Sequence, residues 1–503
     1  MEANDVSRTA DKMLSFGSVG RARRAWAQDS GTETVYIRLA STDIVQVFTR
    51  SLLPSDFERV VPYACCIKFL NLELDGDNGV HRTRLSLHRP EIDPRILRAI
   101  GIFHAASPFL PNLLKLRITE NQHDGLENVH LFIGTKLIAF FLQFSAISCD
   151  ESTGRAILTA LKSKSPSLEE LEISAGPQTS PTLSFALSDL LCELKHLKSF
   201  SSPCIPLTNA AFEHLASLPA LRLLGLGIYD GNLFASMPIV HSTQAFPALR
   251  EMTIWARHLT KMIDVIAFMR SAALEVMIFH TETPPSASLI HHFLSNLLEN
   301  CSTSSLTRIY GFQDDFTTER NEGDNYDYAA NIHTFGPLLS FSNLEYVWIN
   351  ACVSFELVND ALIRDMALAW PHLRELDLGS TSCWGLPSRV TLAGLIPFCD
   401  NCPNLQLLGL TFDVSVPTIY PAVDPLRRVP SNEQMHTLQV GHSRISRIQM
   451  GPVAACLSRL YPNLVEITTC DMMGNDDEAW EGSHDLWVEV AWIIATRQGS
   501  AQQ

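Results

Sequence analysis

The sequence predicts an α/β solenoid of about fourteen stacked strand–helix units. Three observations predict it. A six-residue phrase of the form apolar-x-x-apolar-x-apolar recurs fourteen times between residues 67 and 470. Proline stands two residues ahead of the phrase in seven copies. Amphipathic segments of helical length fill the intervals between copies.

The copies start at Ile67, Leu113, Leu137, Leu168, Leu197, Leu221, Leu249, Leu274, Leu306, Leu344, Leu373, Leu405, Met435 and Leu464. Their mean spacing is about 30 residues. LEELEI from Leu168, LRELDL from Leu373 and LQLLGL from Leu405 are the clearest instances. Each reads as a short strand, because its second and third apolar residues lie two apart and so point to one side. Pro111, Pro166, Pro219, Pro247, Pro371, Pro403 and Pro462 punctuate the entries. Proline cannot continue a helix and biases its predecessor away from helical geometry, so each one stops a helix and aims the chain into the next strand.

The helices are read from spacing. In LVNDALIRDMALAW, Asn359 or Asp360 caps a helix whose Leu362, Ile363, Met366 and Ala369 share a face. LTNAAFEHLASL repeats that grammar from Leu207, and Leu289, Phe293, Leu297 and Leu298 fall at helical spacing within residues 286–301. One such unit cannot bury its own apolar side, whereas stacked units share a core. At the end of the chain, Leu486, Val490 and Ile493 or Ile494 form the inner face of a helix expected to cap the open core.

These units resemble those of leucine-rich repeat proteins, whose parallel strands line the inside of a horseshoe. Their length and their CPNL and WPHL phrases are most similar to the ribonuclease-inhibitor and F-box subclasses. The asparagine that many family members carry after the strand is mostly absent, with Asn350 an exception. The resemblance divides the chain into a non-repeat segment over 1–48, a helical lead-in over 49–66, the repeats over 67–470, and an acidic linker with a capping helix over 471–503.

Two resemblances compete in the lead-in. Ile44, Val47 and Phe48 on one helical face, a break at Pro54, then Phe57, Val60 and Val61 are similar to the helices of an F-box, the module that docks on the cullin ubiquitin-ligase adaptor. The opening Leu-Pro phrase of that module is missing. LLPSDFERVVPYACCIKFLNL instead resembles the segment that follows the F-box in a fungal family of F-box and leucine-rich repeat proteins, and this match is preferred. It implies an F-box that is missing or degenerate. Ile44, Val47, Phe48 and Phe57 are the implied adaptor-docking residues.

Composition limits function. An apolar fraction of 46% with 18% charged residues excludes disorder throughout the 503-residue chain. A net charge of −16 argues against nucleic acid or an anionic membrane as the main partner. The longest apolar run, LIAFFLQFSAI, is too short to span a bilayer, and Glu2, Asp5 and Asp11 stand where a targeting peptide would be basic or apolar. A cytoplasmic or nuclear home is expected, and 12 scattered cysteines then read as thiols.

Catalytic signatures are missing from the sequence: no phosphate loop, dinucleotide fingerprint, HExxH or GxSxG occurs, and GHSRI at Gly441 lacks the final glycine of the last. An enzyme is not expected, nor any cofactor. Cys399 and Cys402 have zinc-knuckle spacing but no second pair, so repeat packing explains them better. His291 and His292 are adjacent, which points them about 100° apart on a helix. The acidic stretch from Asp314 to Asp327 fails calcium-loop spacing and reads as a solvated loop or a docking loop for a basic peptide.

A protein partner is expected on the strand face. Residues between the buried positions of each strand project there: Lys115, Arg117, Glu170, Glu172, Ser199 and Ser201 early, then a row of Trp255, His280, Tyr310 and Trp348, with Tyr346 and Asn350 beside it. Aromatic side chains on consecutive strands offer large contact area with few rotors to freeze. A surface of apolar and basic character would dock on them; the competing reading is that the rings are covered or merely stack on each other. By resemblance, the chain is expected to be the substrate-recognition subunit of a cullin-type ubiquitin ligase, the alternative being a ubiquitin-independent interaction scaffold. It is expected to be a monomer by itself.

Overall fold

The computed structural model describes residues 61–74, 100–102, 108–120, 126–144, 151–174, 181–228, 245–269, 273–313, 325–350, 354–380, 388–414, 431–470 and 478–501. The expected adaptor-docking residues Ile44, Val47, Phe48 and Phe57, and the acidic stretch over 314–324, lie outside the described residues.

Every copy of the phrase forms a strand that opens two residues after its first apolar residue. The chain divides into two compact units, the first ending near residue 227 and the second running from about 239 to the C-terminus. The first holds β1 (Phe69–Leu74), β2 (Lys115–Glu120), β3 (Ala139–Phe144), β4 (Glu170–Ser174), β5 (Ser199–Ser202) and β6 (Leu223–Ile228). The second holds β7 (Glu251–Ala256), β8 (Val276–Thr281), β9 (Arg308–Gln313), β10 (Tyr346–Asn350), β11 (Glu375–Leu378), β12 (Leu407–Leu410), β13 (Thr437–Gly441) and β14 (Glu466–Thr469). Within each unit neighbouring strands pair in parallel and in sequence order, with helices in most of the connections. This is the α/β solenoid of stacked strand–helix units that the periodicity predicts, with the parallel strands that the leucine-rich repeat resemblance implies.

Register is constant across copies apart from a one-residue shift after Gln439, where β13 meets β14. Tyr346 lies beside Arg308 and Glu375, and Glu375 beside Leu407, all third in their phrases. At several strand entries a tight turn sets it. The amide of the phrase's first residue donates to the carbonyl three residues earlier: Leu113 to Leu110, Leu373 to Trp370, Leu405 to Cys402 and Leu464 to Tyr461, each at 3.1 Å. Pro111, Pro371, Pro403 and Pro462 therefore occupy the second position of a β-turn, whose φ near −65° they already hold, as well as ending what precedes them. At the Met435 copy a side chain does this work. Asn432, 3% exposed, accepts from Gln434 N (2.8 Å) and Met435 N (3.2 Å) through Oδ1 and donates from Nδ2 to Cys402 O (2.8 Å).

The fourth and sixth phrase residues face the helices and form the core. Leu171, Ile173, Met252, Ile254, Leu376 and Leu378 are all buried. Phe279 of β8 meets Phe293 of the helix Ala287–Asn300 with ring centroids 4.8 Å apart. Gly311, at the sixth position of its copy, leaves room for Phe279: a Cβ there would run into the phenyl ring.

The helix Asp360–Ala369 is capped by Asn359, which accepts from Leu362 N at 3.1 Å, and buries Leu362, Ile363, Met366 and Ala367, with Ala369 only half-buried. The helix Ala287–Asn300 is turned relative to the expected face. Ile290, Phe293, Leu294 and Leu297 are buried while Leu289 and Leu298 are half-buried, because Ile290 opens a second i, i+3, i+4, i+7 run that reaches the core more fully. In the final helix Glu478–Ala501 the inner face is Trp487, Val490 and Ile494, with Leu486 at its edge. Trp487 Nε1 donates to Ser443 O at 2.7 Å, a tie that the apolar spacing alone does not reveal. Among the described residues no helix is long and apolar enough to cross a membrane.

Candidate functional site

The strand face turned away from the helices carries the third, fifth and seventh phrase residues in three parallel rows. In the second unit the third-position row reads Glu251, Val276, Arg308, Tyr346, Glu375, Leu407, Thr437 and Glu466. The fifth-position row reads Thr253, Ile278, Tyr310, Trp348, Asp377, Gly409, Gln439 and Thr468. The seventh begins Trp255, His280, Phe312 and Asn350.

Register therefore splits the expected aromatic row in two, and Phe312 joins the halves. Trp255 stacks on His280 (5.4 Å between centroids, 19° between planes), and His280 leans on Phe312 (5.1 Å, 32°). Phe312 lies parallel to Tyr310 (6.3 Å, 6°), and Tyr310 meets Trp348 edge-on (6.1 Å, 69°). All five rings are half-buried, so they stack on each other and still present a face to solvent. Phe312 was readable in the sequence: counting positions from Leu306 puts it in the same place as Trp255 from Leu249 and His280 from Leu274.

Asn350 and Asp377 close one end of this ribbon. Asn350 is 8% exposed and donates from Nδ2 to Asp377 Oδ2 at 2.9 Å, while its Oδ1 and the indole N–H of Trp348 are buried without a hydrogen-bond partner. Asp377, 1% exposed, also accepts from Ser380 N at 3.0 Å. Burial pushes its carboxyl above the usual range, against the pull of the bonds from Asn350 and Ser380. Gly409 is its neighbour on β12, and a Cβ there would lie 2.7 Å from Asp377 Oδ1. Glycine at this position accommodates the carboxylate. Burial likewise raises the phenol of Tyr310, with Arg308 opposing and Glu375, Tyr346 and Glu251 adding to the shift.

The first unit carries a different face. Lys115 reaches over Ala139 to Glu170 at 3.1 Å, and the Arg117 guanidinium sits 4.7 Å from the Phe141 ring centroid. Lys115 is answered by Glu170, while Glu172, exposed beside Phe141, has no ion pair among the described residues.

The other chemistry-bearing residues are dispersed. Cys399 Sγ donates to Leu460 O at 3.6 Å and Cys402 Sγ to Ala367 O and Trp370 O at 3.5 Å. Burial pushes both thiols up to about 12, which leaves little thiolate to act as nucleophile or ligand. His291 and His292 are both exposed, and His291 Nδ1 bonds His333 O at 2.6 Å. Among the described residues no group of three His, Cys, Asp or Glu side chains is placed to hold a metal ion.

No family model and no curated protein sequence matches the chain. Similarity to solved structures is distant. A chain from the crystal structure of the yeast Rad7–Elc1 complex is 13% identical with a TM-score of 0.41, the match covering 76% of each chain. A chain from the TLR13–ssRNA13 complex is 14% identical with a TM-score of 0.31, the match covering 74% of this chain and 55% of that one.

Proposed function

We propose that the chain is a protein-recognition module whose second unit holds an extended segment of a partner protein on its helix-free strand face. The observation that carries this reading is the continuous ribbon of five half-buried rings from Trp255 to Trp348, set by register on four neighbouring strands. Rings already braced against one another lose little entropy on contact, and aromatic anchors of this kind dominate interface energetics. Trp255, His280, Tyr310, Tyr346 and Trp348 are the contact residues of this reading, Phe312 joins them, and Asn350 ends the seventh-position row beside Phe312.

The finer reading is that the module selects substrates for a cullin-type ubiquitin ligase. Its support is the resemblance of residues 49–66 to the segment that follows an F-box, and the rival is an interaction scaffold that recruits no ligase. Calorimetry of the full chain against the purified cullin adaptor separates them. Saturable binding that is lost in Phe48→Asp or Phe57→Asp supports the ligase reading, and absence of binding supports the scaffold. The recognition surface has its own test: Trp255→Ala with Trp348→Ala is expected to weaken capture of a bound peptide by at least about 100-fold, two anchors at ~2 kcal/mol each. Unchanged affinity would remove the ribbon from the proposal.

A further inference from the structure

The same positions that neutralise one another in the first unit leave a carboxylate unanswered in the second. Lys115, Ala139 and Glu170 are consecutive third-position residues on β2, β3 and β4, and the lysine crosses the small alanine to reach Glu170. Arg308, Tyr346 and Glu375 are their counterparts on β9, β10 and β11. Here a phenol stands where Ala139 stands. Two strand spacings, ~9.6 Å, separate Arg308 from Glu375, and Tyr346 fills the space between them. Arg308 stops on that ring, its guanidinium 5.0 Å from the centroid. Glu375 is left half-buried with no ion pair among the described residues, and Glu251, two strands to the other side of Arg308, likewise has none.

The walls around Glu375 suit a particular visitor. Tyr346 lies beside it in the row and Trp348 beside Asp377, the next residue along the same face of β11. Leu407 and Gly409 form the opposite side, and the glycine lowers it. Farther along the same face lie the buried Asp377 and, at its end, Asn350, whose Oδ1 is buried without a partner. A half-buried carboxylate beside an aromatic ring favours a cation, and Arg308 on Tyr346 shows that this row already receives a guanidinium on a ring.

Resting on the recognition reading above, we infer that the partner segment supplies an arginine or lysine side chain that pairs with Glu375 and packs against Trp348, beside apolar residues that lie along the ribbon. Charge complementarity selects this occupant: the site offers the carboxylate of Glu375, which has no ion pair among the described residues.

The test is selection of displayed random heptapeptides on the full chain, followed by affinity measurements on individual synthetic peptides. The expected result is enrichment of peptides carrying arginine or lysine next to an aromatic or aliphatic residue. Their affinity should fall at least about tenfold in Glu375→Gln and on replacing the peptide arginine with citrulline, with no further loss when both changes are combined. Peptides that need Trp255 and Trp348 but show no basic preference, or ignore Glu375→Gln, overturn the inference and leave the recognition surface standing. Peptides indifferent to both tryptophans, or no enrichment at all, overturn both. Enrichment of acidic peptides refutes the inference outright.

Discussion

Replacing Asn432 by alanine removes a side chain that closes a strand-entry turn. Three hydrogen bonds go: Cys402 O loses a donor at 2.8 Å, and the amides of Gln434 and Met435 lose their shared acceptor. Gln434 is exposed and water replaces its partner, at a cost near 1 kcal/mol. Cys402 O keeps the bond from Leu405 N, so its loss is also near 1 kcal/mol. Met435 is fully buried, and its orphaned amide costs about 1 to 3 kcal/mol. The sum is about 3 to 5 kcal/mol, a large fraction of the stability of an ordinary domain. Asn463→Ala is the control, because it deletes a single exposed bond from Nδ2 to Glu433 O at 2.8 Å and should cost under ~1 kcal/mol. Urea unfolding followed by circular dichroism gives the two differences, and amide exchange at Met435 localises the larger one. If Asn432→Ala costs no more than Asn463→Ala, the turn is held by its backbone and the reasoning fails.

Two further outcomes follow from buried contacts. Asp377 has its carboxyl raised by burial, so its contribution to stability is fully present below the unfolded value and is lost as pH rises through the folded one. Denaturation across that window should show wild type losing stability relative to Asp377→Asn as pH increases; parallel curves would refute the placement. Gly311→Ala should destabilise by about 1 to 3 kcal/mol through its clash with Phe279, with partial rescue by Phe279→Leu in the same chain. Simple additivity of the two changes would count against the contact.

What could be read in the sequence and what could not divide along a physical line. Strand positions were legible because burial repeats with the phrase: Leu373, Leu376 and Leu378 announce β11 without help from anything distant. Caps were legible for the same local reason, as at Asn359. The faces of helices were less so, since Leu289 and Ile290 head overlapping apolar runs and only packing chooses between them. Of the candidate site, the rings were visible individually, but their grouping depends on register between segments about 30 residues apart. Phe312 is legible only by counting seven places from Leu306, the place that Trp255 and His280 hold in their own copies. The contrast between Glu170 and Glu375 depends on which side chain stands one strand away, and such neighbours are separated by whole helices in the chain.

Constant register gives every surface position a two-coordinate address, the copy it belongs to and its place within the phrase. Intervals between copies vary without disturbing that grid, because turns at strand entries reset the phase. A loop can therefore lengthen at no cost to what the face presents. Duplication of one whole copy would insert a single new column of three side chains and move its neighbours apart by one strand spacing, ~4.8 Å. Lineages of such chains can thus change the length of what they read in fixed steps, and change its content one address at a time.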